Sequence, residues 1–439
     1  MTYQVQISLS PKNINTDLLI KEVCKKLSIK RNIISDIQII RKSIDARSPN
    51  IKINLSIKVF TRGEKRETLS FNYQNIKNNQ EVFIIGSGPA GLFAALRLIE
   101  LGLKPIVFER GKDISKRKID IANISKNQKI EEDSNFCFGE GGAGTFSDGK
   151  LHTRAKRRGS ISRIYEIFHY HQAKENILYE AHPHIGYDKL PEIIKNIRKT
   201  ILSCGGEFLF ETKITDFIIK ENQIEGIICE KGNIYKNSHI ILATGLSARD
   251  IYTTLHEKNI LLESKNFAIG VRVEHPQSLI NKIQYKKEAG NPFLPQASYN
   301  LSERVDERAV YSFCMCPGGT IVPAATSKNE IVVNGMSNST RKSPFANAGI
   351  VVETRYEDIP DFHQYGVLAG LKFQEHIENL AYLNGGGEQR APAQNLIDFI
   401  NGKLGPELPE CSYLPGVISS PIHFWLPDFI SKRLQKSFK

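Results

Sequence analysis

The chain has 439 residues, enough for two or three domains at roughly 100–200 residues each, and its 40% hydrophobic and 24% charged content is that of a globular protein. A formal net charge of +12 bears on partners and not on fold; no apolar run of about 18 residues and no basic-then-apolar leader is present, so neither a membrane span nor a secretory signal is expected. Seven irregularly spaced cysteines without a Cys-x-x-Cys pair argue against zinc and for a reducing compartment, so the cytoplasm is the expected location.

Residues 1–78 are expected to form a small α/β domain. Tyr3, Val5, Ile7 and Leu9 alternate with polar residues, the period of a half-buried strand. A helix is expected from Thr16, with Asp17 near its N-terminus and Leu19, Val23 and Leu27 on one face. Ile37–Ile40 and the alternating Ile51–Val59 give two further strands, and Thr61–Gln80 is expected to be a connector. Units of this kind bind RNA or cover a larger domain; these strands lack an aromatic stacking platform, so covering is expected.

The segment Val82–Gly91 is strand, glycine turn and helix. Gly86 permits the tight turn, Gly88 lets backbone approach a pyrophosphate with Pro89 and Ala90 beside it, and Gly91 lets the helix pack on the strand. Helix 92–101 aims its N-terminal N–H groups at the phosphates. A second strand, Pro105–Phe108, ends at Glu109 and Arg110. Glu109 lies 23 positions after Gly86, where it can accept from the adenosine ribose hydroxyls and would repel a ribose 2′-phosphate.

Three features select FAD over NAD. The glycine-dense loop Phe136–Lys150 contains Gly141, Gly142, Ala143, Gly144 and Thr145 and can converge N–H groups on a phosphate or a flavin edge. Helix 191–203, a 215–220 strand, an Glu221-Asn222-Gln223 hairpin turn, a 224–229 strand and the run His239–Gly245 supply a second approach to the cofactor at Ala243, Thr244 and Gly245. There is no second GxGxxG, hence no separate NAD domain. The dinucleotide-binding region is expected over 79–255. Strand-like runs at Phe267–Val273, Val310–Cys316, Glu330–Asn334 and Ile350–Val352 suggest an antiparallel sheet in a substrate domain over 256–439. The expected fold class is thus α/β, a Rossmann-like FAD/NAD(P)-binding domain with an antiparallel-sheet substrate domain and a small N-terminal α/β domain.

With these motifs, the chain resembles a bacterial family of FAD-dependent dehydrogenases, FAD-dependent proteins of unassigned substrate and of the two-dinucleotide-binding flavoprotein type. The resemblance rests on Arg41–Arg47, the GSGPAG turn, Phe138–Lys150, Leu242–Asp250, Phe267–Pro276, Tyr311–Gly319 and Gly385–Gln394. It implies FAD as cofactor, oxidoreduction as activity, an unknown small-molecule substrate and NAD(P)H as a candidate electron partner. It also implies that members run on past Lys439 into a last strand and an acidic glycine turn over the flavin, so the C-terminal domain is expected to be incomplete. Two alternatives stand beside a flavin oxidoreductase: a flavoprotein acting on RNA, and a shortened, non-catalytic remnant.

Flavin carries its own redox chemistry, and no catalytic triad is found. Cys314 and Cys316, two apart on a strand, are expected on one side as buried thiols, because a Cys-x-Cys disulfide closes a small, strained ring. His275, beside Arg272 and Glu274, is a proton-shuttle candidate but is expected to be an ordinary hydrogen-bonded histidine. His182 and His184 lack a third ligand in sequence, so no metal is expected. Within the basic run Lys150–Arg158, residues Lys156–Arg158 are expected to be a solvated loop; with charge elsewhere diffuse, nucleic acid is not expected as a partner.

Overall fold

A computed structural model of the chain describes residues 2–12, 14–153 and 159–439, so the Lys156–Arg158 run lies outside the described residues. The N-terminal unit is β1 (Thr2–Leu9), α1 (Thr16–Leu27), β2 (Ile34–Asp45) and β3 (Lys52–Thr61), an antiparallel sheet in the order β1-β3-β2. Period-two alternation buries Val5, Ile7 and Leu9 against Ile53, Leu55, Ile57 and Val59 and the Leu19/Val23 face of α1. The Asn15 side chain accepts from Leu18 N–H at 2.9 Å and caps α1, with Asp17 in the first turn as expected. β2 is longer than the Ile37–Ile40 run because tertiary pairing extends it. Lys42 N–H donates to Tyr179 O (2.7 Å) and Ala181 N–H to Lys42 O (2.9 Å), which sews this sheet to the next unit. The 62–80 stretch has no regular element, yet it is not loose: Ile76 is fully buried, and Phe71 and Tyr73 pack against Tyr170.

The second unit begins with β4 (Glu81–Ile85), α2 (Pro89–Glu100) and β5 (Lys104–Phe108). A strand in a parallel sheet is buried on both faces, and β4 shows it: Val82 and Ile84 join the core beneath α2, while Phe83 and Ile85 join the opposite one. Pro89 in the first turn of α2 supplies the helical φ where its missing N–H costs nothing. Then come α3 (Ile114–Asn127), α4 (Ile161–Tyr170), α5 (Leu190–Ser203) and β6 (Glu207–Leu209). An antiparallel sheet of β7 (Ile214–Lys220), β8 (Gln223–Cys229) and β9 (Ile234–Lys236) intervenes before β10 (Ile240–Leu242). Glu221 (φ 51°) and Asn222 (φ 62°) both adopt the left-handed conformation of a two-residue hairpin turn. β10 returns to pair in parallel with β4, giving the parallel order β10-β4-β5-β6.

After α6 (Arg249–Glu257), the third unit contains β11 (Phe267–Pro276), α7 (Gln277–Tyr285), β12 (Ser302–Val305), β13 (Arg308–Cys316), β14 (Thr320–Pro323), β15 (Val333–Met336) and β16 (Phe345–Thr354). The main sheet is antiparallel in the order β11-β16-β13-β12, and β14 pairs with β15. α8 (Ala369–Asn384), β17 (Ala391–Ala393), α9 (Leu396–Asn401), β18 (Val417–Ser419), α10 (Ile422–Trp425) and α11 (Asp428–Ser437) close the chain. The core of this unit runs from Val310, Ile350 and Val352 to Phe373, Ile430 and Leu434, and Ile51 of the N-terminal unit packs into it. The architecture is mixed α/β, as the sequence pattern implied. No helix of the described residues is long and apolar enough to cross a membrane.

Candidate functional site

Four segments far apart in sequence meet where the parallel strands end. They are the Gly86–Gly91 turn, the Glu109–Arg110 strand end, the Gly139–Thr145 loop and the Ala243–Gly245 turn after β10. The packing demands glycine at Gly86 and Gly142 and leaves little room at Gly144. A Cβ on Gly86 (φ +107°) would lie 2.5 Å from Ala243 O; one on Gly142 (φ +58°), 3.0 Å from Gly88 Cα; one on Gly144, 3.2 Å from Pro89. The first-turn N–H groups of α2, which have no intrahelical acceptor, open onto this gap.

Glu109 ties the segments together. It is 4% exposed; Oε2 accepts from Ser87 N–H (2.8 Å) and Ser87 O–H (2.7 Å), and Oε1 from Gly111 N–H (2.9 Å) and Gly139 N–H (3.0 Å). Both oxygens are thus engaged by protein donors, a structural duty beyond the ribose contact its position suggested. Arg110 forms a two-pronged pair with Asp250 at 2.9 and 2.8 Å and lies over the Phe138 ring at 4.4 Å.

The loop itself hangs on Arg117, a residue sequence inspection passed over. It sits in α3 in a Lys-Arg-Lys run that reads as solvated surface, yet it is fully buried. Its guanidinium donates to the carbonyls of Asn135 (2.8 Å), Phe136 (3.0 Å), Gly139 (3.2 Å), Glu140 (2.7 Å) and Gly142 (2.9 Å). Burial lowers its pKa to about 10, still well above neutrality, so it stays charged. By gathering those carbonyls inward it shapes the face that the loop turns to the cleft.

Of the expected cofactor residues, Gly86, Gly88, Pro89, Ala90, Glu109, Arg110, Gly142, Ala143, Gly144, Ala243, Thr244 and Gly245 line the cleft. Gly91, Gly141 and Thr145 do not, for steric reasons. A Cβ on Gly91 would lie 1.9 Å from Gly86 O, and one on Gly141 2.0 Å from Thr145 Oγ1. Thr145 is buried and donates to Glu140 O at 2.9 Å. They support the loops that others present.

The cleft is large, about 1350 Å³, above the ~300–1,000 Å³ of ordinary ligand pockets. It continues past β10 onto Ala268–Glu274 of β11, Val333, Val351, Tyr413 and Trp425, so one cavity joins the two larger units. Leu246 (78% exposed) and Leu242 (43% exposed) face this space, an apolar lining that suits a flat ring. The glycine-walled gap, the helix N-terminus and this apolar extension together fit an extended dinucleotide with an aromatic head.

Two charged groups stand out deeper in. Arg249, from the motif after β10, bridges to Glu378 of α8 (2.6 Å) and Glu330 (3.0 Å), joining the units across the cavity. Burial raises the Glu378 pKa to about 7 against its Arg249 partner, so this carboxyl titrates near neutrality. Below about pH 4.5 folded and unfolded chains both carry the proton; above it the unfolded chain releases first, so stability contributed by this group falls as pH rises from about 4.5 through about 7. Urea titrations across that window are expected to show the decline in the native sequence and its loss in Glu378→Gln; equal slopes in the two would refute the assignment. Arg272 is held by Asn347 (2.7 Å) and Asn334 (3.1 Å) and has no carboxylate partner among the described residues, while its buried Nε has no hydrogen bond.

The thiol and histidine candidates fall apart from the dinucleotide cleft. His275 bonds Tyr299 Oη at 2.9 Å, and burial lowers its pKa, as an ordinary packed histidine would show. His182 stacks edgewise on His152 at 4.6 Å, and His184 contacts Ser337 at 3.2 Å; no metal-holding group of three side chains occurs among the described residues. The expectation of two regular strand thiols is corrected: β13 bulges between Phe313 and Cys316, Cys314 has φ +52°, and it is only half-buried while Cys316 is buried.

Comparisons with known proteins agree with this geometry. Residues 266–439 match a family described as "FAD-dependent protein, C-terminal domain-like", residues 80–268 match "Pyridine nucleotide-disulphide oxidoreductase", and residues 1–60 match a domain of unknown function. An uncharacterized protein of Clostridium beijerinckii is 40% identical over 97% of this chain and 84% of its own length. The tRNA uridine 5-carboxymethylaminomethyl modification enzyme MnmG of Borreliella burgdorferi is 26% identical over 38% of this chain and 25% of that enzyme. Among solved structures, the tetracycline destructase Tet(51) matches at a TM-score of 0.29 and 10% identity, covering 68% of this chain and 66% of that one. At that level the likeness says nothing about activity.

Proposed function

Since the chain belongs to a bacterial family of FAD-dependent proteins of unassigned substrate, we propose that it is an FAD-dependent oxidoreductase acting on a small molecule in the cavity between its two larger units. The observation that carries this reading is the continuity of the cleft, glycine-walled at the α2 N-terminus and apolar beneath β11. FAD, when bound, supplies two-electron redox chemistry. The protein's own part is to bind and orient. The Gly88–Ala90 turn and the Ala143–Gly144 loop are placed to take the pyrophosphate, with Gly142 keeping the two loops close. Glu109, at the end of β5, fixes the turn and the loop at once, beside the expected ribose position. The Ala243–Gly245 turn, Leu242 and Leu246 would border the flavin ring.

Two polar residues define what a substrate meets. Glu378, whose carboxyl titrates near neutrality, can take up and return a proton on one cavity wall. Arg272, unpaired with any described carboxylate, offers a fixed cation on β11 and favours an anionic group on the substrate. NAD(P)H is the proposed electron partner. Nothing in the N-terminal sheet favours RNA: its strands carry no aromatic stacking platform, and its β2 edge is engaged at Lys42 by residues 179–181. The purified full-length protein should be yellow, and its flavin absorbance should bleach under a reductant and return in air. A colourless protein that takes up no added FAD would overturn the reading.

A further inference from the structure

Beside the cofactor cleft, Lys150, Cys314 and Cys316 form a cluster that has no part in the reading above. Lys150, the last residue of the glycine-rich motif, reaches into β13, where its Nζ lies 3.8 Å from Cys314 Sγ and 3.5 Å from Cys316 Sγ. The same ammonium is 3.4 Å from the buried Asp148, which is in turn contacted by Arg341 (3.5 Å), His184 (3.7 Å) and the Ser337 hydroxyl. The lysine is therefore pinned rather than waving in solvent. Arg272 approaches from β11: a Cβ on Gly335 would lie 2.6 Å from its Nη1 and 2.9 Å from Cys316 Sγ, so only a glycine separates the guanidinium from the sulfur.

The backbone is unusual at the same place. Residues two apart in a regular strand sit roughly 6.6 Å apart, at the outer edge of the about 4.4–6.8 Å that a disulfide tolerates between Cα atoms. Here the strand is not regular. The bulge and the left-handed φ of +52° at Cys314, a conformation costly for a residue with a Cβ, bend the chain out of the regular strand path, and both sulfurs meet the one Lys150 ammonium. The Cys316 thiol is within hydrogen-bonding reach of the Cys314 sulfur and lies 3.3 Å from the Cys314 carbonyl. That hydrogen bond, and then the Lys150 and Arg272 charges, hold Cys314 well below the usual thiol range against the opposing effects of burial and Asp148. The same hydrogen bond and full burial push Cys316 up. The partly exposed Cys314 sulfur is thus the one favoured to ionise, and the buried Cys316 the one favoured to keep its proton.

We propose that Cys314 and Cys316 form a two-electron dithiol/disulfide centre, in which Cys314 is the attacking thiolate, Cys316 the resolving thiol, and the oxidant a small hydroperoxide. In the first step the Cys314 sulfur attacks one peroxide oxygen; the S–O bond forms, the O–O bond breaks, and the other oxygen leaves and takes a proton from water, leaving Cys314 as a sulfenic acid. Lys150 faces the leaving oxygen with positive charge. In the second step the Cys316 sulfur attacks the Cys314 sulfur; the S–S bond forms, and the S–O bond breaks as hydroxide leaves with the Cys316 proton as water. Two electrons pass from the thiol pair to the peroxide. The half-buried setting of Cys314 selects a small oxidant over a bulky one.

The test uses the full-length reduced protein and competitive alkylation with iodoacetamide, read by peptide mass spectrometry from pH 5 to 9. Cys314 is expected to label at least about tenfold faster at pH 7 than the exposed Cys411, with a midpoint more than about one unit below the roughly 8.5 of a free thiol. Lys150→Met is expected to slow that labelling about tenfold and move its midpoint up. One equivalent of hydrogen peroxide should remove two hydrogens' mass from the peptide holding both cysteines, and Cys316→Ser should stop at a sulfenic acid trapped by dimedone. Flavin content of each variant reports separately on folding and on the oxidoreductase reading. Labelling of Cys314 no faster than Cys411, or a wild-type sulfenic acid that never passes to Cys316, would overturn the proposal.

Discussion

Replacing Arg117 with methionine is expected to destabilise the protein by about 4 kcal/mol and to strip it of flavin. The guanidinium is fully buried and serves five carbonyls of the 135–142 segment at 2.7–3.2 Å. Methionine keeps much of the aliphatic volume but donates nothing, so those carbonyls lose their partner in a space water does not reach. Breaking a buried charged network by removing one member typically costs about 3–5 kcal/mol. Arg117→Lys should recover only part of this, because one ammonium cannot reach carbonyls spread around a planar fork. Urea midpoints and bound flavin, measured on the same preparations, decide it. A loss under about 1 kcal/mol with flavin retained would mean that the loop holds its shape by other means.

The second large effect is expected at Gly142, and it should fall on cofactor affinity more than on folding. The residue has φ +58°, and an added Cβ would come within 3.0 Å of Gly88 Cα, across the gap that separates the glycine-rich loop from the α2 turn. Gly142→Val puts a branched side chain into that gap and into a left-handed backbone. The strain is worth about 1–3 kcal/mol and leaves a folded chain, but the loop and the turn must part to accommodate it. Flavin affinity is then expected to fall about a hundredfold, equivalent to about 2.7 kcal/mol. Isothermal titration of apoprotein with FAD tests this. An affinity within about threefold of the native chain would remove the Gly88–Gly142 gap from the cofactor site.

Legibility in the sequence followed the range of the interactions. The Gly86–Gly91 turn could be read directly, because strand, turn and helix are local patterns and Gly91 must lie under Gly86 O. The hairpin at Glu221–Asn222 was legible for the same reason. Arg117 was not: a basic residue in a basic helix looks solvated until the 135–142 loop folds over it. The short strands β12, β14, β17 and β18 run three or four residues, too few to establish a period. Cys314 was misjudged because two-residue alternation assumes a regular strand, and the bulge opposite β16 exists only once the sheet has formed. Gly141 and Thr145 were grouped with the cofactor residues, and in the fold they sit behind the cleft wall, Thr145 donating to Glu140 O and leaving no room for a Cβ at Gly141. Arg249 lay inside a noted motif, yet its partner Glu378 is 129 positions away and no pattern in the chain connects them.

The pairing of β10 with β4 also sets an order of events during synthesis. Phe83 waits for Ile240 as its strand neighbour, and Gly86 for Ala243. At about 5–20 residues per second, roughly 10–30 s separate the emergence of the two strands from the ribosome. During that interval β4 offers one unpaired edge, and a nascent dinucleotide fold lacks the wall its ligand needs. Cofactor capture is therefore expected late in the life of each newly made chain, after the 240s have been translated.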